Sequence, residues 1–266
     1  MTFIVLHGIQ SHGGWFEYSA SLLAESGCPV ILPDRRGSGL NAAGRGDAAH
    51  AQQWFEDLDD LVAAERAVRP TARVAAVGVS WGGKLAAAWA LRGGAPLAGL
   101  LLIAPGVFPQ VDVGWISRAR IGLSLLVSPT RRFDIPLNDP ALFTSNPRGQ
   151  EFIRSDTLKL ERATARFLYF SARLDARLRR SPAAALRVPA TLLLAGRDRI
   201  IRNEPTMRWL RRVSADAPFV RTFPQASHTI EFESDVSDFS ACLAEWRDRC
   251  CAGALETDSS GRRSPQ

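Results

Sequence analysis

Short, unbroken apolar runs separated by helical or turn-rich stretches are the main pattern along this chain. The runs that predict strands are residues 3–6, 29–32, 73–79, 97–104, 191–195 and 219–223. Helices are predicted over residues 15–26, 52–68 and 235–249, of which 52–68 has the clearest helical periodicity. Strands that are apolar throughout and alternate with helices are typical of a parallel sheet covered on both faces. The pattern therefore predicts an α/β fold.

Residues 107–187 interrupt this alternation. They contain amphipathic helical stretches and turn clusters such as Ser128-Pro129, but no convincing strand. We therefore predict that residues 107–187 are a helical insertion between two strands of an α/β core made of residues 1–106 and 188–249. Residues 250–266 end in a polar, glycine- and proline-containing stretch and are predicted to be a disordered tail.

Length and charge narrow the possible functions. A chain of 266 residues suits one α/β domain with an insertion, or at most two domains. The net charge is +6, and residues 107–187 alone carry thirteen arginines and one lysine against seven acidic residues. No nucleic-acid-binding motif accompanies this charge, so we expect no nucleic acid partner. The basic segment suggests either solvated helix faces, which are commoner, or peripheral contact with an anionic lipid surface.

Other composition features point to a cytoplasmic protein. No run of 18 apolar residues is present, so we expect no transmembrane segment. The first residues lack the basic and apolar regions of a signal peptide. Four cysteines have neither metal-ligand spacing nor the arrangement of a disulfide framework, so no metal site is expected. The serine chemistry inferred below needs no cofactor either.

The stretch Gly78-Val79-Ser80-Trp81-Gly82 is the most informative motif. It lies between an apolar strand and an alanine-rich helix, which is the setting of a nucleophile elbow. Glycines two residues before and after the serine leave room for the sharp turn. The motif predicts that Ser80 is a catalytic nucleophile exposed at the edge of the sheet.

A nucleophilic serine needs a histidine base and a carboxylate that orients it. In this fold the chain order is serine, acid, histidine, and His228 is the only histidine that follows Ser80. Asp198 follows a buried strand and is the preferred acid, while Asp112 and Asp216 remain alternatives.

The backbone N–H groups of Trp81 and Ile9 are predicted to form the oxyanion hole. Trp81 directly follows the nucleophile, and Ile9 lies in the glycine-containing loop after the first strand, which are the usual positions of the two donors. In the same loop, His12 has three possible roles: orienting the loop, contacting substrate, or lying at the surface.

Four blocks of sequence resemble the α/β-hydrolase superfamily, and within it the monoacylglycerol lipase and lysophospholipase group. The blocks are Leu6-His7-Gly8 with His12, Pro33-Asp34-Arg35-Arg36-Gly37-Ser38-Gly39, Gly78-Val79-Ser80-Trp81-Gly82-Gly83, and Gly196-Arg197-Asp198 with His228. The resemblance implies Ser80, Asp198 and His228 as the triad, Ile9 and Trp81 as the oxyanion hole, and a cap over the active site. Within the second block, it implies only a structural turn for Asp34-Arg35-Arg36-Gly37-Ser38-Gly39. This chain departs from the group in one respect: its first predicted strand begins at residue 3, whereas members of the group usually have a β-hairpin before that strand.

We therefore expect a serine carboxylic ester hydrolase that works through an acyl-enzyme. The expected substrates are acyl glycerols, lysophospholipids or similar lipid esters, with the apolar cap stretch 121–127 either lining an acyl site or packing on the core. Hydrolysis of an amide, a thioester or a C–C bond by the same triad remains an alternative, because one triad serves all of these reactions. A non-catalytic binding protein with the same fold is a further alternative.

Overall fold

A six-stranded parallel sheet forms the centre of the protein in the computed structural model, which describes residues 1–93 and 96–260, with side chains to residue 252. Its strand order is β2-β1-β3-β4-β7-β8, and β5 pairs with β6 in a separate antiparallel ribbon. The strands are β1 (Thr2–Leu6), β2 (Val30–Ile31), β3 (Val74–Val79), β4 (Leu97–Ile103), β5 (Arg132–Asp134), β6 (Arg162–Thr164), β7 (Ala190–Ala195) and β8 (Phe219–Phe223).

Helices connect and cover the strands. They are α1 (Glu17–Ala24), α2 (Gln52–Val68), α3 (Trp81–Arg92), α4 (Trp115–Val127), α5 (Pro147–Ser155), α6 (Ala165–Arg179), α7 (Asn203–Val213) and α8 (Ser237–Ser260). The predicted α/β fold is confirmed. Across the described ranges, no helix is long and apolar enough to cross a bilayer.

The apolar runs form the centre of the core. Every residue of β1 and β3 is buried, as are the last five of β4 and of β7. Strands covered on both faces must be apolar throughout, which explains why these segments do not alternate. Each fully buried aliphatic side chain contributes about 1.5–3 kcal/mol to folding, so this sheet is a rigid base for the loops that leave it.

All six strands of the sheet run in parallel, so their carboxyl ends share one edge. The loops after β1, β3, β7 and β8 carry Ile9, Ser80, Asp198 and His228, respectively. Open α/β sheets bind their ligands at this edge. The topology therefore brings the predicted site residues to one end of the sheet.

Residues 107–187 contain helices α4, α5 and α6, but the expectation that they hold no strand is wrong. The short strands β5 and β6 form an antiparallel ribbon, with Phe133 opposite Ala163. Each strand has only three residues, which is too few to show an alternating pattern. Their pairing joins segments about thirty residues apart, and this long-range contact leaves no local signal in the sequence.

The C-terminal segment differs from the predicted disordered tail over residues 250–260, which continue helix α8 to Ser260. Cys250 is buried, and its Sγ lies 2.7 Å from where a β-carbon on Gly99 of β4 would be. Cys251 Sγ lies 3.6 Å from Cys28 Sγ. Because both cysteines pack against the core, the helix does not end at Arg249. The predicted tail residues 261–266 lie outside the described residues.

Candidate active site

Ser80 lies in a strained backbone conformation between β3 and α3. Its φ is 53° and its ψ is −115°, a region that residues with a β-carbon rarely adopt. The N–H of Ser80 donates to Ile103 O at 2.9 Å, and Ser80 O accepts from Gly106 N at 2.8 Å. These bonds to β4 and the loop after it hold the turn in place. The turn at Ser80 thus has the strained backbone geometry that was predicted for a nucleophile elbow.

The glycines around Ser80 are needed because backbone atoms lie where side chains would be. A β-carbon on Gly78 would lie 2.6 Å from Gly82 O, and one on Gly82 would lie 2.1 Å from Leu6 O. Gly83 has a similar restriction, since its β-carbon would lie 2.8 Å from Pro105 Cβ. The elbow, the end of β1 and the loop after β4 are therefore packed backbone against backbone.

Gly82→Ala is expected to destabilise the protein by about 3 kcal/mol, because the added methyl group forces β1 and α3 apart. Gly122→Ala is the matched control: no atom of the described residues lies within 4 Å of the place where its β-carbon would be, and it lies inside helix α4. We expect Gly122→Ala to stabilise the protein by about 0.5–1 kcal/mol. Urea unfolding measures both changes, and equal stabilities for the two variants would contradict this packing.

Asp198 and His228 form a buried hydrogen-bonded pair. His228 Nδ1 lies 2.8 Å from Asp198 Oδ2, and both side chains are almost fully buried. The other carboxylate oxygen accepts hydrogen bonds from the backbone N–H groups of Ile200 at 2.8 Å and Ile201 at 3.0 Å. A carboxylate only accepts, so Nδ1 carries the proton and Nε2 presents its lone pair.

His228 Nε2 is buried and has no hydrogen-bond partner among the described residues. A buried, unpaired acceptor is costly and often marks a functional group. No hydrogen bond joins it to Ser80 Oγ within the described chain. Such bonds are often long in ligand-free hydrolases and form fully only with substrate. The pairing therefore leaves His228 with the free nitrogen that a base needs.

The other candidates from the sequence make no contact with His228 in the described chain, although Asp112 lines the same cavity as Ser80. Asp112 pairs with Arg118 at 2.5 Å, and Asp216 is exposed. His12 Nε2 lies 3.2 Å from Asp156 Oδ2, and its Nδ1 accepts from Gly14 N at 3.1 Å. His12 thus ties the loop after β1 to the residue that follows α5, which agrees with the orienting role considered for it.

A cavity of about 440 Å³ contains Ser80 together with Ile9 and Trp81. The N–H groups of Ile9 and Trp81 donate to no acceptor in the described part of the chain, so both are available to a ligand. The apolar walls come from the loops of the core and from the cap, and include Val111, Ile121, Leu125, Ile135, Leu137, Leu168, Ile200 and Ile201. Within the cap stretch 121–127, only Ile121, Gly122 and Leu125 line the cavity, while Leu123, Leu126 and Val127 are exposed.

A buried polar cluster in this cavity was not found by sequence reasoning. Lys84 Nζ donates to Asp175 Oδ1 at 2.6 Å and to Ser171 Oγ at 2.8 Å, and Trp81 Nε1 donates to the same hydroxyl at 3.0 Å. Burial raises the pKa of the Asp175 carboxyl, and the Lys84 ammonium opposes that rise. The cluster joins α3, the helix that follows Ser80, to α6 in the inserted segment 107–187. A signal was present: Lys84 is one of only two lysines and lies one helical turn after Ser80.

The fold and the elbow define the class: the protein is an α/β-hydrolase. A family model described as "Serine aminopeptidase, S33" matches residues 1–235, and the chain belongs to that family. It is therefore an enzyme of the hydrolase class.

Individual relatives are distant but cover nearly the whole chain. "Phospholipase YtpA" of Bacillus subtilis is 23% identical over 244 residues, which are 91% of this chain and 93% of the relative. The structure of a Paleococcus ferrophilus monoacylglycerol lipase matches with a TM-score of 0.80 and 19% identity, covering 94% of both chains. A soluble variant of Saccharomyces cerevisiae monoglyceride lipase matches with a TM-score of 0.81 and 18% identity, covering 94% of this chain and 86% of the other. The predicted resemblance to the monoacylglycerol lipase and lysophospholipase group is confirmed, and the expected carboxylic ester hydrolase agrees with it.

Proposed function

We propose that this protein hydrolyses carboxylic esters of lipid acyl chains through an acyl-enzyme on Ser80. The observation that carries the proposal is that a strained elbow serine and a buried histidine follow strands at the same edge of the sheet, with His228 Nδ1 2.8 Å from Asp198 Oδ2 and His228 Nε2 without a hydrogen-bond partner among the described residues. A binding protein has no need for this costly arrangement. The fold alone would not carry this function, because the same fold hosts many activities.

In the proposed reaction, His228 Nε2 takes the proton of Ser80 as its Oγ attacks the ester carbonyl. The N–H groups of Ile9 and Trp81 hold the oxyanion, assisted by the positive end of the α3 dipole. His228 then protonates the leaving alcohol, and the acyl group remains on Ser80. Water, activated by His228, releases the acid and restores the enzyme. No step requires a metal or a cofactor.

The apolar walls of the Ser80 cavity support an acyl chain as the bound part of the substrate. Hydrocarbon groups from the core and the cap surround the nucleophile, and burial of an acyl chain yields about 0.8 kcal/mol per methylene. The named relatives, a phospholipase and two monoglyceride lipases, act on lipid esters by their names. Acyl glycerols and lysophospholipids are therefore the substrate classes that we propose.

A chain-length series tests this function. We expect hydrolysis of p-nitrophenyl esters to peak at medium or long acyl chains, and monoacylglycerol or lysophosphatidylcholine to be cleaved at comparable rates. Activity on acetate alone would contradict the lipid-ester proposal. Faster cleavage of aminoacyl p-nitroanilides than of any ester would replace it with the amide alternative, in line with the family's description.

A surface on the cap supports peripheral contact with anionic lipid. Helix α4 exposes a cluster of large apolar side chains, of which Trp115 is 79% and Leu126 is 85% exposed. The others are Ile116, Leu123 and Val127. Exposed arginines lie on the same helix and in the segment that follows it, at positions 118, 120, 131 and 132. An apolar surface bordered by positive charge suits a negatively charged membrane surface. A cytoplasmic location, testable by cell fractionation, remains part of the proposal.

Replacing both Trp115 and Leu126 by serine is expected to weaken binding to phosphatidylglycerol vesicles about tenfold or more, because two large apolar groups no longer enter the lipid. Co-sedimentation measures the loss, and hydrolysis of a soluble short ester serves as the activity check. Val68→Ser is the control, since Val68 is 72% exposed on α2, outside the cap. Equal vesicle binding by the double variant and the control would overturn the lipid contact.

A further inference from the structure

Arg35 lies in the turn after β2, to which the family resemblance gave only a structural role. Its Nη1 donates to Gly8 O at 3.2 Å, and its Nη2 donates to Ile9 O at 3.1 Å. The guanidinium carbon lies 4.5 Å from the centre of the Trp81 indole ring. One guanidinium therefore contacts the residues of both proposed oxyanion donors.

The carbonyl of Gly8 accepts from two donors, because His7 Nδ1 also donates to it at 2.8 Å. The backbone N–H of Arg35 donates to His7 Nε2 at 3.0 Å and so fixes the tautomer of that ring. Both residues that donate to Gly8 O, His7 and Arg35, line a second cavity of about 410 Å³. Ile9 lines the Ser80 cavity instead.

Peptide geometry turns these contacts into an orientation for the N–H of Ile9. No cis peptide bond occurs among the described residues, so the C=O of Gly8 and the N–H of Ile9 point in opposite directions. Holding the oxygen toward His7 and Arg35 therefore directs the hydrogen of Ile9 away from these two residues, and Ile9 lines the cavity that contains Ser80. The closeness of the two segments is clear from Gly8, where a β-carbon would lie 3.5 Å from Ser80 Cβ.

The charge of Arg35 has no ionic partner within 4.0 Å in the described chain, and its buried Nε has no hydrogen-bond partner there. Burial lowers the pKa of Arg35 to about 9, with the nearby Asp34 opposing the shift, so the group stays charged at pH 7. A buried cation whose oxygen partners are all neutral is unfavourable for folding. Such a charge beside an oxyanion hole stabilises negative charge that develops there.

We propose that Arg35 is a positioning residue for the oxyanion hole, which fixes the Gly8–Ile9 peptide with its N–H directed at the oxygen of the attacked carbonyl. This inference rests on the proposed function. It assigns to the turn after β2 a role in transition-state stabilisation and leaves substrate binding in the ground state to the walls of the Ser80 cavity.

The test compares Arg35→Met with Arg36→Met on a medium-chain p-nitrophenyl ester. Arg36 is exposed and pairs with Asp57, so its replacement leaves the hydrogen bonds to the carbonyls of Gly8 and Ile9 unchanged. For Arg35→Met we expect kcat to fall about 100-fold, as loss of one oxyanion donor does, while KM changes less than about threefold. Inhibition by an alkyl boronic acid, which forms a tetrahedral anion on serine, should weaken by a similar factor. Inhibition by the corresponding long-chain alcohol should not change.

Arg35→Lys covers the case in which the methionine variant fails to fold. Lysine keeps a positive charge but lacks the planar group that donates to two carbonyls at once. We therefore expect kcat to fall about tenfold, and the affinity for the boronic acid to fall by a similar factor. Equal kcat in the Arg35 and Arg36 variants would overturn the inference, as would equal losses of boronic acid and alcohol binding. Absence of Ser80-dependent ester turnover in the wild type would instead overturn the proposed function itself.

Discussion

Ser80→Ala is expected to lower ester turnover by about 10⁶-fold, because it removes the atom that forms the acyl-enzyme. The fold should survive, since Ser80 Oγ makes no hydrogen bond within the described chain and alanine has the same backbone limits as serine. The residual rate should reflect only the oxyanion donors and substrate binding. Steady-state hydrolysis of a p-nitrophenyl ester measures the change.

Ser21→Ala is the matched control for this experiment. Ser21 is exposed on α1, and within the described chain its hydroxyl donates only to the backbone of its own helix, so full activity is expected. Purified Ser80→Ala protein that retains more than about one per cent of wild-type turnover would place the nucleophile elsewhere. A change in melting temperature of several degrees would show that the elbow, rather than the reaction, was disturbed.

Asp198→Asn is expected to lower kcat by about 10⁴-fold with little change in structure. The amide oxygen can still accept the N–H groups of Ile200 and Ile201, so the loop should stay in place. The amide NH₂ then faces His228 Nδ1 and donates to it, which moves the proton to Nε2. His228 can no longer accept the proton of Ser80 in that tautomer.

Asp112→Asn and Asp216→Asn are the controls for the acid. Asp112 lines the Ser80 cavity but pairs with Arg118, and Asp216 is exposed, so each variant should keep its kcat within about threefold of the wild type. Rates measured side by side on one ester decide the assignment. If Asp198→Asn is nearly as active as wild type while one of the others is not, the orienting acid is that other residue.

Local pattern was sufficient to predict the sheet and the tight turn at Ser80. The continuous apolar runs of β1, β3, β4 and β7 could be found because full burial on both faces removes polar residues from a strand. The helix predicted over residues 52–68 corresponds to α2, which has the same bounds. Ser80 could be found because a turn this tight excludes every side chain at Gly78 and Gly82, which leaves a fixed glycine spacing in the sequence.

Contacts between distant segments could not be predicted in this way. Arg35 meets Gly8 and Ile9 only because β2 lies beside β1 in the sheet, and nothing in the turn itself specifies that contact. The pairing of Lys84 with Asp175 likewise depends on how helix α6 packs against α3. Helix α8 extends beyond Arg249 because Cys250 packs on β4, a contact set by tertiary structure rather than by helical propensity.

Labelling with a fluorophosphonate followed by peptide mass mapping tests the central claim most directly, because the probe reacts with an activated serine whatever the natural substrate is. The account predicts a single adduct on the peptide that contains Ser80, formed at the rate at which ester turnover is lost, and no adduct in Ser80→Ala. An adduct on a different serine, or ester turnover that continues in protein without any adduct, would contradict it.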